Sequence, residues 1–474
     1  MKLYNTLSRA YDELVVKDNT VKIYLCGVTV YDDSHIGHAR TILIFDVLHR
    51  YLKSKGYNVE FVQNFTDVDD KIIKKSKDLG ISPKEVSEKY IEKYFDDFSR
   101  LNLLPDIKYP KATEHIKEMI DLIAFLIEKG YAYLTLNGVY FQVKKFPVYG
   151  KLSKKSGEAL EAGARIEIDP TKKDPLDFAL WKFFKDEPVW ESPWGKGRPG
   201  WHIECSAMAL KLLGKTVDIH GGGNDLIFPH HENEIAQSEA TTKADFAKIW
   251  MHCGMVNINS EKMSKSLGNI VSIGNAIDRW GSNTIRVLCL STQYSKPLDY
   301  SEANLLEALA KWRLIENSYD ELKFPIEKDK EKEGEDQHSN QDRVSVARKL
   351  SNMTIHSIEN CLDDNLNTSK ALGEFMKFVS EINNSASKET ITRNVSDIIL
   401  PVFNKIMYVF GLKIFEPSED DVKKIDEMIS QRNRFRSEKD FKNADDIRKK
   451  LKEEFNVELV DHKDNRTIWK KIEK

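Results

Sequence analysis

The apolar positions change their period along this chain, and each change marks an element. Val21 to Gly27 is a short apolar run closed by glycine, the pattern of a buried strand. From Thr41 to Leu52 apolar side chains occupy nearly every face (Ile42, Leu43, Ile44, Phe45, Val47, Leu48), which predicts a helix buried all round. Val59 to Phe65 reads as a strand again. Strand, loop, buried helix and strand make the right-handed crossover of a parallel sheet. Ligands of such sheets bind beyond the carboxyl ends of the strands, where His35 to His38 falls.

Residues 81–130 predict mainly helix, with Gly130 as the stop. Tyr131 to Val143 alternates about Asn137-Gly138, a hairpin pattern. Val217 to His220 resumes the parallel sheet and runs into Gly221-Gly222-Gly223. An inserted subdomain at 111–195 therefore interrupts a sheet domain made of 1–110 and 196–260, with 261–325 following. Glu327 to Asp342 is highly charged and predicts a mobile linker, bounded at 326–342. Helical patterns then predict a bundle over 343–415, and a small domain occupies 416–474. The expected fold class is α/β: a Rossmann-like parallel-sheet domain with an insertion, then a helical bundle and a small C-terminal domain.

Composition adds exclusions. A chain of 474 residues is too long for one core. Its net charge of −3 gives no global cationic field, so any nucleic-acid surface must be a local patch. The last segment offers one: from Arg432 onward there are 14 Lys and Arg against 10 Asp and Glu. Five scattered cysteines without a CxxC pair do not make a disulfide framework and fit a reducing cytoplasm. Met1 to Asn5 lacks the apolar region of a signal peptide, and no run is long enough to span a bilayer. The expectation is a cytoplasmic protein without a membrane partner.

Two strings carry phosphate chemistry. His35 and His38, three apart at a helix start, can donate toward phosphate oxygens, and Gly37 lets a nucleoside approach the backbone. Lys262 and Lys265, with Ser264 and Ser266, lie on a loop able to close over a pyrophosphate. Either string alone reads equally well as turn histidines or a solvated loop. Both in this order, the first after a strand and the second after a second sheet crossover, predict an ATP site. A metal set is also present: Cys26, Cys205, and His230 with Glu234 one helical turn apart. Thiolate, imidazole and carboxylate suit zinc. A protease HExxH motif is excluded, because Ile235 stands where the second histidine would be. Singly, Cys26 and Cys205 also read as small buried hydrophobes, and His230 or His231 as helix caps or core hydrogen-bonders.

The longer stretches Cys26–Asp32 into Thr41, Asn64–Lys71, Trp190–Gly195, Arg198–Cys205, His220–Gly223, Phe228–Glu234, Lys262–Asn269 and Asp364–Thr368 resemble the cysteinyl-tRNA synthetases, a class I aminoacyl-tRNA synthetase family. The resemblance spans nearly the whole chain. It implies that Cys26, Cys205, His230 and Glu234 hold one zinc ion, which binds the thiol of L-cysteine. Thr66, Trp201 and His220 would line the cysteine pocket, with Gly27 near the amino acid backbone. It also implies ATP with Mg2+, tRNA(Cys) as acceptor, and a monomer. Segment 111–195 would be the connective subdomain, 261–325 the KMSKS loop and stem-contact region, 343–415 a tRNA-binding bundle and 416–474 the anticodon reader. Arg432, Arg434, Arg436 and Trp469 would contact tRNA, beside Lys439, Phe441 and Lys442. The turn before Trp469 departs from the family by lacking its glycine and being one residue longer.

A metal–thiolate bond separates cysteine from serine better than shape, which supplies only about 1–3 kcal/mol. Four protein ligands fill a tetrahedron, so the substrate must raise the coordination to five or displace a weak ligand, for which Glu234 is the candidate. Two rival readings are a ligase joining cysteine to an amino-sugar inositol and a non-catalytic tRNA-binding paralogue. Residues 343–474 argue against the first, and the intact His35, His38, Lys262, Lys265 and metal set against the second.

Overall fold

A computed structural model describes residues 1–155, 169–265, 267–326, 337–414, 418–461 and 467–471. They form two units: Met1–Ile273 with Thr292–Ser301 and Asn360–Ser369, and Gly274–Ser291 with Glu302–Glu359 and Lys370–Lys474.

In the first unit, β1 (Lys2–Asn5) and β2 (Ala10–Glu13) form an antiparallel ribbon. The strand expected at Val21 to Gly27 is β3 (Thr20–Thr29), and the next is β4 (Asn58–Thr66), parallel to it. Between them the helix Ile36–Ser54 is buried on nearly every face, as its lack of a polar stripe requires.

The helical run expected over 81–130 is broken. Pro83–Arg100 is a helix opened by a Ser82–Glu85 capping box, and Ile116–Glu128 is another. The residues between them, which include Pro105 and Pro110, run beside β4 instead. Gln63 and Phe65 donate to the carbonyls of Lys108 and Pro110 at 2.9 Å each, which closes the free edge of the sheet. Periodicity misses this because an edge cover is recognised by its partner strand.

The hairpin at Asn137-Gly138 is present as β5 (Ala132–Leu134) and β6 (Gly138–Phe141). With β7 (Phe178–Phe183) and β8 (Gly197–Pro199) they make an antiparallel sheet in sequential order. The main sheet resumes with β9 (Val217–Gly223) and β10 (Ala247–Cys253), giving the order β10-β9-β3-β4 with every pair parallel. From β3 the chain moves first to one side and later to the other. The crevice at the carboxyl ends of β3 and β9 is thus the topological switch point, where ligands bind. A small sheet of β11 (Val256–Ile258), β12 (Glu261–Lys262) and β13 (Leu298–Tyr300) follows. The chain after β12 returns to the crevice, where Ile36 donates to Val271 O at 3.0 Å and Ile273 to Ser34 O at 2.9 Å.

The second unit is helical: Glu302–Lys323, Thr368–Ser387 and Arg393–Phe410 are its main helices. Another helix, Gln337–Asp363, begins inside the segment expected to be a linker, whose residues 327–336 lie outside the described residues. The end of the chain pairs helices Glu419–Ser437 and Phe441–Phe455 with the hairpin β14 (Val457–Asp461) and β15 (Thr467–Lys471). No described helix is long and apolar enough to cross a membrane.

Candidate active site and metal centre

A cavity of 540 Å³ opens at the switch point, walled by Cys26 and Gly27 from β3, the His35–His38 turn, Trp201 and Met263–Lys265. His35 caps the helix Ile36–Ser54 in an unusual way. Its Nδ1 accepts the His38 N–H at 3.4 Å, and the His38 Nδ1 accepts the His35 N–H at 3.3 Å. The rings stack with centroids 3.7 Å apart. An Nδ1 that accepts carries no proton, so both imidazoles are neutral with the hydrogen on Nε2. Burial holds His35 below its ordinary value, and with His35 beside it holds His38 well below. Each ring is therefore a neutral donor at physiological pH. A Cβ on Gly37 would sit 3.0 Å from His35 Nδ1 and 3.1 Å from the Met263 methyl, so glycine keeps the turn open.

Lys265 Nζ lies 2.5 Å from Asp32 Oδ2 and 4.2 Å from the Tyr31 ring centroid, at the cavity mouth. Lys262 stands apart: it pairs with Asn257 in the ladder of β11 and β12, is exposed, and does not line the cavity. Ser264 is on the cavity wall, while Ser266 lies outside the described residues.

Beneath the cavity, Cys26 Sγ is 3.8 Å from Cys205 Sγ and 3.2 Å from Glu234 Oε1, Cys205 Sγ is 3.6 Å from His230 Nε2, and His230 Nε2 is 2.9 Å from Glu234 Oε1. All four residues are buried. A tetrahedral zinc site with metal–sulfur bonds of about 2.3 Å has sulfur–sulfur edges of about 3.8 Å, and edges nearer 3.3 Å between nitrogen and oxygen. The set fits zinc on both geometry and donor softness. The elements explain the convergence: Cys26 lies in β3 where its register with β4 shifts, Cys205 lies in the helix Trp201–Leu213, and Glu234 is in the first turn of the helix Glu232–Thr242.

A second buried set, Cys26, His220, His231 and Glu234, also has its donor atoms within 4.8 Å of one another. It shares two members with the first but has one thiolate, and is the harder of the two. His231 bridges Cys26 Sγ at 3.3 Å and His252 at 2.8 Å. The reading of His231 as a core hydrogen-bonder thus holds, while His252 carried no sequence signal.

The hydrogen bond from Cys26 holds the Cys205 thiol down to about 6 against its burial, while burial pushes Cys26 up. Burial opposes charge on His230, but the Glu234 carboxylate raises it to about 10. Burial likewise opposes the Glu234 charge, yet His220 and His230 hold that carboxyl well below its usual range.

The expected cysteine-pocket residues divide. Gly27 and Trp201 line the cavity, and Trp201 stacks on His230 with centroids 4.1 Å apart. His220 Nε2 faces the metal cluster, 3.6 Å from Cys26 Sγ and 3.1 Å from Glu234 Oε2. Thr66 turns its hydroxyl to buried Glu204 at 2.8 Å, a partner 138 residues away that no local pattern reveals.

In the tail, Arg432 departs from the expectation of a surface contact. It is 4% exposed, and its guanidinium grips Asp461 with two bonds of 2.6 Å. Arg436 joins the same carboxylate at 2.7 Å. Arginines two apart on a helix point in opposed directions, so Arg432 and the more exposed Arg436 both reach Asp461 and Arg434 does not. Arg434 is exposed and pairs with Glu438 at 2.9 Å. Trp469 donates to Asp426 at 3.2 Å and packs on the small core of Ile425, Leu451 and Val457.

A family model described as "tRNA synthetases class I (C) catalytic domain" matches residues 13–310. The chain is 46% identical over 491 aligned positions to the cysteine–tRNA ligase of Thermodesulfovibrio yellowstonii, covering 99% of both chains. It is 43% identical to that of Aquifex aeolicus, covering 100% of this chain and 99% of the other. A solved structure of Mycobacterium tuberculosis methionyl-tRNA synthetase with methionyl-adenylate matches with a TM-score of 0.60 at 14% identity, over 83% of this chain and 91% of that one, which shows a shared fold. With the parallel sheet, the switch-point cavity and the metal set beside it, these similarities lead to one conclusion: the chain belongs to the cysteine–tRNA ligase family of class I aminoacyl-tRNA synthetases.

Proposed function

We propose that this chain activates L-cysteine on ATP and transfers it to the terminal adenosine of tRNA(Cys). The carrying observation is the pairing of a zinc-fitting set, Cys26, Cys205, His230 and Glu234, with a cavity walled by His35, His38 and Lys265. Zinc held there would supply a soft acceptor for the substrate thiol, which serine cannot match. Trp201 and Gly27 border the space for the amino acid, with His220 and Thr66 behind them.

The cysteine carboxylate attacks the α-phosphorus, the bond to the bridging oxygen breaks, and pyrophosphate leaves; Mg2+ carried with the ATP would offset its charge. Negative charge grows on the phosphate oxygens as this happens. Nε2–H donors on His35 and His38 and the ammonium of Lys265 meet that charge, and they strengthen as it develops. Lys262 would join when the loop closes over the pyrophosphate, with Ser264 and Ser266 supplying hydroxyls. A ribose hydroxyl of the tRNA terminus then attacks the carbonyl of the adenylate and AMP departs. In the C-terminal segment, Arg434 with Lys439, Lys442 and the 60%-exposed Phe441 offers charge and a stacking face for RNA, while Arg432, Arg436 and Trp469 would support that surface. The proposed setting is a cytoplasmic monomer, with 111–195 as the connective insertion and 343–474 as the tRNA-reading part.

Cysteine-dependent ATP–pyrophosphate exchange followed by transfer to tRNA(Cys) tests the reading. Exchange without transfer favours the amino-sugar ligase, and no exchange favours the non-catalytic paralogue.

A further inference from the structure

The ladder between β3 and β4 slips where the site begins. Leu25 pairs with Gln63 and Val28 with Phe65, so Cys26 and Gly27 together face the single residue Asn64. Such a bulge bends the strand and re-aims a side chain, and it leaves backbone groups without their ladder partners. Here the vacancy is filled by a side chain: Asn64 Oδ1 accepts the Gly27 N–H at 2.9 Å. The same oxygen lies 3.6 Å from Cys205 Sγ, which approaches from a helix 141 residues later. Asn64 is 1% exposed, and its neighbours Gln63 and Phe65 are tied on the opposite edge to Lys108 and Pro110. Its position is therefore rigid. The strands are so close at this point that a Cβ on Gly27 would lie 1.5 Å from the Asn64 carbonyl oxygen.

We infer that Asn64 is a positioning residue for the metal centre, its amide oxygen holding the Cys26-Gly27 bulge and the Cys205 sulfur at the spacing a metal ion needs. One oxygen touches both segments that deliver sulfur, and the sulfurs stand 3.8 Å apart, the edge of a zinc tetrahedron. Partners behind the ligands commonly set metal affinity in this way. The inference rests on the reading that Cys26 and Cys205 hold zinc for the substrate.

The test uses the full chain. Asn64→Leu keeps the branched shape and removes the acceptor, Asn64→Asp keeps an acceptor oxygen, and Asn64→Ala serves if the leucine variant does not fold. Zinc affinity is read by competition with a chromophoric chelator, and KM for cysteine and for ATP by pyrophosphate exchange. Asn64→Leu should weaken zinc binding about 10–100-fold and raise the cysteine KM at least comparably, with the ATP KM little changed. Asn64→Asp should keep zinc affinity within a few-fold. Unchanged zinc affinity in a folded Asn64→Leu or Asn64→Ala overturns the inference, and so does equal loss in Asn64→Asp. If the wild-type chain shows no cysteine-dependent exchange, the proposed function fails, while the zinc competition still decides the role of Asn64.

Discussion

His35 and His38 do two jobs with one ring each. Nδ1 closes the helix cap, and the hydrogen left on Nε2 is available to the cavity. His38→Asn keeps an acceptor for the cap but loses the ring donor. It should lower the exchange kcat about 10²–10³-fold with the fold intact, as measured by exchange kinetics and circular dichroism. The depressed histidines also set a pH dependence. Below about 6.5 the unfolded chain takes up protons that the buried rings resist, so stability falls as pH drops from there. Melting temperatures between pH 7 and 5 should decline, and decline less in His38→Asn. Asp97 has the opposite sign. Burial raises its carboxyl to about 6, so the fold is penalised above that pH and the penalty disappears below the ordinary value near 3.9. Asp97→Asn should stabilise the chain by about 1–3 kcal/mol at pH 7 and by almost nothing at pH 3.5, read from denaturant midpoints.

At the scale of elements, close approach and buried pairs decide. Gly27→Ala would drive a methyl into the Asn64 carbonyl and separate β3 from β4 at their carboxyl ends. Cysteine activation should be lost, with destabilisation of about 3 kcal/mol or more, seen as a fall in melting temperature. In the tail, Asp461 joins β14 to two arginines of the helix Glu419–Ser437. The bond from Arg432 holds its carboxyl well below the usual range, so this support is complete above about pH 4 and fails on acidification below it. Asp461→Asn should cost about 3 kcal/mol, since it leaves the Arg432 charge buried without its counter-ion; hydrogen exchange in Phe441–Phe455 and β14 would report it. The elements themselves were largely legible, because a buried helix or strand announces its period locally. The strap of Lys108 and Pro110 on β4 was not, since its reason for being extended is another strand.

For the molecule as a whole, the proposed metal centre draws on segments far apart in the chain: Cys26 and Glu234 are separated by 208 positions. Stripping zinc with a chelator should lower the melting temperature and abolish cysteine-dependent exchange, and zinc, not magnesium, should restore both. The stabilisation regained is about 4 kcal/mol with free zinc a thousandfold above its Kd, and a chain whose stability ignores the metal would contradict the site. The sequence by itself determined the sheet crossovers, the glycine and histidine turn, the lysine loop and the types of metal donor, because period and residue chemistry are local properties. Only the tertiary structure decided which histidines face the thiols, that Arg432 looks inward, that Lys262 lies off the cavity and Lys265 on it, and that Asn64 closes the bulge beneath the site. Each of those outcomes depends on where a side chain points when a distant strand or helix arrives beside it, and no spacing along one segment encodes that direction.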